Sequence, residues 1–353
     1  MKTPHILTYD EVRAELGSGR SHLLLGNGFS IACDPRFNYR NLLQYAKDNG
    51  LPERVVAIFE KLGTNNFEGV MRLLEDAFWV VKHYGLAEGA NTAKAKRLKT
   101  DLEAVKTSLV DAIAKTHLDH THQVKEERKT RCASFLEPYY NIFSLNYDLL
   151  LYWVEMHALE RLAGRDGFRE DVNEPDATYV VFSEHIGGDK GIFFIHGALH
   201  LYVVNGEVRK HTWSRTQTHL IEGIREAMKK GHYALFVAEG TADKKLEQIQ
   251  RSGYLSYCLG KLERIENALV VFGISFGESD RHITDVIAQN QKLKTLYVGV
   301  FGDPASSANQ EVIKHVTALE QRRKKLLLAR RVRTELSINF FDSATVPVWD
   351  KCK

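Results

Sequence analysis

Two rhythms of apolar positions divide the chain. Short apolar runs stand at His22 to Leu25, Tyr140 to Leu145, Thr178 to Phe182, Ile192 to Ile195, Ala234 to Val237, Leu269 to Phe272, Leu296 to Phe301 and Leu336 to Phe341. Runs of this length, most of them stopped by a glycine or a polar turn, predict buried strands. Elsewhere apolar residues recur every three or four positions, as in Val55, Phe59 and Leu62, in Val70, Leu73, Leu74, Ala77 and Phe78, and in Leu102, Val105, Leu109 and Ile113. That spacing lines up one helical face, so a helical segment is expected over about 41–135. A further helix is expected over about 216–230, on Leu220, Ile221, Ile224 and Met228, with Gly231 as its stop. Just before it, Leu199 to Trp213 alternates on both sides of Asn205-Gly206, a pair that accepts positive φ and predicts a β-hairpin.

Short apolar strands separated by helices are what a parallel sheet covered on both faces requires. The expected fold is a Rossmann-like, doubly wound α/β domain spanning 1–353, with a helical insertion at about 41–135 and a hairpin-containing insertion at about 199–232. No internal repeat and no low-complexity linker divides it.

Composition changes this picture little. Lys and Arg number 48 against 45 Asp and Glu, a net charge of +3, which gives no field to draw nucleic acid or an anionic membrane. The opening MKTPHILTYDEVRAEL lacks the pattern of a secretory leader, and no apolar run is long enough to span a bilayer, so a cytoplasmic protein is expected. The one basic cluster, Arg322, Arg323, Lys324, Lys325, Arg330, Arg331 and Arg333, shares a helical pattern with Leu319, Leu326 and Leu327 and reads as a solvated face. Cys33, Cys132, Cys258 and Cys352 never form a C-x-x-C pair, and no helix would bring His117, His120 and His122 to one face, so no metal is expected.

In a doubly wound sheet ligands sit at the carboxyl ends of the strands, so the residues just after each apolar run carry the chemistry. Gly26-Asn27-Gly28-Phe29-Ser30 after the first run suits a diphosphate, which needs close backbone approach. Asn146 can donate to and accept from a ribose hydroxyl or a water, while Asp148 is expected to cap the helix that follows it. His196, between an apolar run and Gly197, can take a proton from a hydroxyl near neutral pH. A fourth segment, Gly273-Ile274-Ser275-Phe276, is followed by Glu278 and Asp280. Asn65, Asn66, Phe67, Glu68 and Asp76 offer a lid, or alternatively a solvated helix start, and Glu239 or Lys244 could face a ligand.

In order and spacing these four segments resemble the SIR2-like family. GNGFS looks like its Gly-Ala-Gly-x-Ser loop, LNYD like its Gln-Asn-x-Asp segment, IHG like its catalytic His-Gly and GISF like its late Gly-Thr-Ser loop. The flanks LLLGNGFSIACDPRFNYRNLL, FVAEGTADKKLEQIQRSGYLSYCL and VVFGISFGESDRHI are similar to a bacterial family of SIR2-like proteins, DUF4917. The resemblance implies NAD⁺ as substrate, with Asn146 and His196 catalytic at the nicotinamide ribose. Gly26, Asn27, Gly28, Phe29, Ser30, Asp148, Gly273, Ser275 and Phe276 would line the nucleotide. The chain departs from sirtuin deacylases in lacking their four zinc cysteines and in carrying Leu145 where the family has glutamine. The implied activity is therefore that of the zinc-free branch known from bacterial antiphage systems, an NAD⁺ glycohydrolase releasing nicotinamide and ADP-ribose. A non-catalytic nucleotide sensor and an ADP-ribosyltransferase are the alternatives. Control by homo-oligomer assembly or by a second defence subunit is expected of an enzyme that consumes NAD⁺.

Overall fold

The apolar runs assemble into two sheets, not one. The computed structural model describes residues 5–37, 42–65, 67–84, 90–162, 166–186, 190–212, 220–237 and 241–350. Seven strands are parallel: β1 (Ile6–Leu7), β2 (Ser21–Leu25), β3 (Asn141–Ser144), β6 (Gly191–Phe194), β10 (Glu266–Phe272), β11 (Lys292–Val300) and β12 (Ser337–Asp342). They lie in the order β1-β12-β11-β10-β2-β3-β6. From β2 at the centre the chain builds β3 and β6 on one side, then crosses to β10, β11 and β12 on the other. The order therefore reverses between β2 and β10, which is where a doubly wound sheet opens a crevice at its carboxyl edge.

The central strands are buried on both faces, which is why they read as unbroken apolar runs. Leu23, Leu24, Leu25, Leu269 and Val270 are fully buried, and a buried Leu or Val side chain contributes about 1.5–3 kcal/mol. The short β1, only two residues long, carries no periodic signal and is found only through its pairing with β12.

Five strands form a separate antiparallel sheet: β4 (Phe168–Arg169), β5 (Tyr179–Phe182), β7 (Gly197–Val204), β8 (Glu207–His211) and β9 (Ala234–Phe236), in the order β4-β5-β8-β7-β9. The expected hairpin is β7 and β8, turning at Asn205 and Gly206 with both residues at positive φ. The runs at 178–182 and 234–237, expected in the parallel sheet, belong here instead. In β5 Tyr179 and Val181 are buried while Val180 and Phe182 are only partly so, the alternation of a strand covered on one face. Four residues are too few to reveal that period in an apolar run. The antiparallel sheet thus gathers strands from Phe168 to Phe236, a wider span than the hairpin-containing insertion expected.

The helical segment comprises Leu42–Asp48, Glu53–Leu62, Phe67–His83, Ala90–Thr116 and Glu126–Leu136. Val55, Phe59, Val70, Leu74, Leu102, Val105 and Leu109 are buried as the spacing predicts, whereas Leu62 and Leu73 are more than two-fifths exposed at the margins of their stripes. The helix Leu220–Lys229 buries Leu220, Ile221, Ile224 and Met228. Among the described residues no helix is long and apolar enough to cross a membrane.

Candidate functional site

The loops that follow β10, β2, β3 and β6 stand side by side along the carboxyl edge, because these four strands are consecutive neighbours in the sheet. They enclose a cavity of about 610 Å³ whose lining includes Gly26, Asn27, Asn146, His196, Gly273 and Ser275. The volume falls within the usual range of small-molecule sites, roughly 300–1,000 Å³.

Glycines hold the β2 and β10 loops against each other. A Cβ on Gly26 would lie 2.6 Å from the Gly273 carbonyl oxygen, and one on Gly28 would lie 2.5 Å from Gly273 Cα. Gly273 itself has φ +74°, a conformation that favours glycine. The Gly28 amide donates to the Gly273 carbonyl at 2.9 Å, and the Gly26 amide to the Phe272 carbonyl at 2.9 Å. The space beside these glycines is thus filled by the neighbouring loop, and loop packing accounts for them without any ligand. No tight turn forms either: the chain passes from β2 through Gly26, the N-cap, straight into the helix Asn27–Cys33.

Beneath this floor lies a one-way chain of hydrogen bonds. The Gly26 carbonyl can only accept, so the atom facing it at 2.9 Å is the Asn146 amide nitrogen. The second hydrogen of that nitrogen goes to Ser30 Oγ at 2.9 Å, and Ser30 passes its own to Asp148 Oδ2 at 2.5 Å. Both Asn146 donors are therefore spent inside the protein, and its carbonyl oxygen is the atom left to meet a water or hydroxyl in the cavity. Asp148 accepts from the Leu150 amide at 2.9 Å with its other oxygen, so it organises the start of the helix Leu150–His157 from one residue further out than the expected cap. Burial pushes the Asp148 carboxyl up to about 6, against the pull of Ser30 and the Leu150 amide. Ser30 and Asp148 support Asn146 and do not themselves line the cavity; neither do Gly28, Phe29 and Phe276. Phe29 packs on Trp349, whose indole donates to the Phe29 carbonyl at 2.8 Å.

His196 occupies the junction of the two sheets. Gly197, at φ +72°, turns the chain from β6 into β7, and a Cβ there would meet the Leu235 carbonyl oxygen at 2.1 Å. The imidazole is buried, and its Nε2 lies 2.9 Å from Nε2 of His282, with the two rings stacked at 5.1 Å. Burial, then His282 and Lys245, hold His196 well below the usual histidine range. Burial likewise pushes His282 down to about 4, with Asp280 opposing it. Lys245, itself buried, pairs with Asp280 at 3.0 Å, and both line the cavity.

Lys245 and His282 escaped sequence reasoning. Lys245 left a signal: in the helix Ala242–Arg251, capped by Thr241, it shares the buried face with Ala242 and Ile249, at positions i, i+3 and i+7. Its neighbour Lys244, considered for a ligand, instead caps the carboxyl end of the helix Glu53–Leu62, donating to the carbonyls of Leu62 and Gly63. Of the suggested lid, Asn65 lines the cavity, Asp76 is exposed on its helix, and Asn66 lies outside the described residues, as does Glu239.

The remaining motifs are absorbed by the fold. His117 accepts from the Leu149 amide at 2.9 Å and bonds the Leu118 carbonyl at 2.7 Å, so both ring nitrogens serve packing. Among the described residues no group of three or more His, Cys, Asp or Glu is placed to hold a metal ion. The basic cluster is not one face: Arg323 is buried and donates to the carbonyls of Ala288, Asn290, Leu293 and Thr334, while Arg322 pairs with Asp285 and Lys324 with Glu320.

No curated protein is similar enough to match the chain. The family model described as a domain of unknown function, DUF4917, matches residues 23–349, which include every residue lining the cavity. The chain belongs to the DUF4917 family.

Proposed function

We propose that this protein is an NAD⁺ glycohydrolase of the SIR2-like type, cleaving NAD⁺ to nicotinamide and ADP-ribose as an effector in bacterial antiphage defence. The observation that carries the reading is the anchored Asn146: with both amide hydrogens committed to Gly26 and Ser30, its carbonyl oxygen can orient a water or a ribose hydroxyl beside His196. In this reading Gly26, Asn27, Gly273 and Ser275 border the nucleotide while an oxocarbenium-like ribose forms. Lys245 supplies the buried cation that a diphosphate calls for. The chemistry needs no metal. Cytoplasmic location, and restraint by self-assembly or by a second subunit, belong to the same proposal.

A sensor of NAD⁺ or ADP-ribose-type nucleotides without turnover is the second reading. It is favoured by one observation: Nε2 of His196 is already bonded to His282, a nitrogen that a general base would need free and a binding module would not. Incubating the purified protein with NAD⁺, alone and with cell extract, and timing nicotinamide and ADP-ribose separates the two. Equimolar release of both supports the hydrolase. Binding without product supports the sensor, and label retained on protein or nucleic acid would point to ADP-ribosyl transfer.

A further inference from the structure

His196 is the residue that sequence reasoning selected, but it does not stand alone. Two ring nitrogens 2.9 Å apart can hold only one hydrogen between them. One ring donates and the other must present a lone pair; two Nε2 hydrogens would collide and break the contact. His282 comes from the second position of the helix Arg281–Gln289, and a helix N-terminus disfavours a cation there. The charged groups facing the pair are Lys245, which opposes protonation of both rings, and Asp280, which favours it at His282. Those two groups are bonded to each other at 3.0 Å, so the start of the helix that carries His282 is tied to the helix that carries Lys245.

We propose that His282, which does not itself line the cavity, is a positioning residue for His196, the lining ring, and that the two rings form one unit sharing a single hydrogen. The proposal rests on reading the cavity as a nucleotide site. His282 fixes the plane of the His196 ring and commits its Nε2, so that the protonation state of one ring dictates the tautomer of the other.

The test uses the full chain labelled with ¹⁵N-histidine, compared with His282→Ala and His282→Gln. In the wild type, one ring proton coupled to two Nε2 nitrogens is expected, lost in His282→Ala; two independently protonated rings would overturn the pairing. In NAD⁺ cleavage, His282→Ala should lower kcat about tenfold or more with little change in KM, and the acid limb of the pH profile should move up as His196 loses a like-charged neighbour. His282→Gln, which restores one hydrogen bond at that point, should recover part of the rate. Full turnover by His282→Ala with an unmoved acid limb would refute a positioning role. A wild type that cleaves no NAD⁺ would count against the hydrolase reading instead, and the coupling spectra would still decide whether the rings form one unit.

Discussion

The two ends of the central sheet are built from the same strands and differ in kind. At the carboxyl end of β2, β3, β6 and β10, polar groups are buried and tied to fixed partners: Asn146 to Ser30 and Gly26, His196 to His282, Lys245 to Asp280. At the amino end a cavity of about 200 Å³ is lined by the long side chains of Arg20, Lys261, Arg264 and Glu266 beside the buried His22 and Asn141. Arg20 lies over the Tyr140 ring at 4.5 Å and only 3.8 Å from Glu266, with both side chains well exposed. Helix direction explains part of the contrast. Helices begin at the carboxyl edge and end at the amino edge, where Gly253–Glu263 presents its carbonyl end with Lys261 in its last turn, a placement the helix dipole favours. At one end the polar groups are buried and held by fixed partners; at the other the Arg20–Glu266 pair stands in solvent.

The most forceful way to break the contrast is through backbone packing. Gly28→Val should destabilise the fold by about 3 kcal/mol or more, because its side chain would have to displace the Gly273 backbone. Gly19→Ala, just before β2 at the amino end, meets only the Leu16 carbonyl at 3.4 Å and should stay within about 1 kcal/mol. Urea denaturation of the two variants measures the difference. This also means that loss of nucleotide binding in a Gly26 or Gly28 variant reports on loop packing first.

Next in size is the chemistry. His196→Ala should lower NAD⁺ cleavage by roughly 100-fold or more while leaving NAD⁺ affinity within about tenfold, since the ring is proposed to act mainly in the transition state. Asn146→Ala should do the same to turnover. Calorimetric binding beside product formation tests both, and wild-type turnover in either variant would remove that residue from the mechanism.

The buried relay predicts a pH signature. Asp148 titrates near 6 when folded against an ordinary value of 3.8, so the folded chain binds the extra proton between those limits. Its contribution to stability is therefore present at low pH and lost as pH rises through about 6, a change of roughly 2–3 kcal/mol. His117 and His282, both pushed down to about 4, act in the opposite sense and cost stability as pH falls below 6.5. The difference in unfolding free energy between wild type and Asp148→Asn isolates the carboxylate, and it should change across pH 4 to 6 and be level above 7.

Smallest of all should be Arg20→Ala. An exposed ion pair contributes at most about 1 kcal/mol, so its melting temperature should barely move and NAD⁺ turnover should not change. A large loss of activity would show that the amino end communicates with the cavity.

How much of this was legible in the residues follows from period and length. The parallel strands other than β1 are readable because burial on both faces leaves an unbroken apolar run, and the residue that ends each run marks its carboxyl end, which points to Gly26, Asn146, His196 and Gly273. The antiparallel strands β5 and β9 were not separable from them, being three or four residues long. His282 and Lys245 were hidden because each sits on an amphipathic helix far along the chain, where a polar residue on the buried face looks like an interruption of a pattern.

The sequence by itself determined most of the elements and which polar residues end the central strands, because these depend on local period and on what a covered sheet must bury. Only the tertiary structure decided the strand order, with the switch that opens the crevice, and the partners. That Asn146 spends its donors on Gly26 and Ser30, that Gly28 and Gly273 fill each other's space, and that Nε2 of His196 meets His282, 86 positions away, are contacts between distant segments. Hydrogen-bond direction and close packing are properties of atoms brought together by the fold, and no spacing along the chain encodes them.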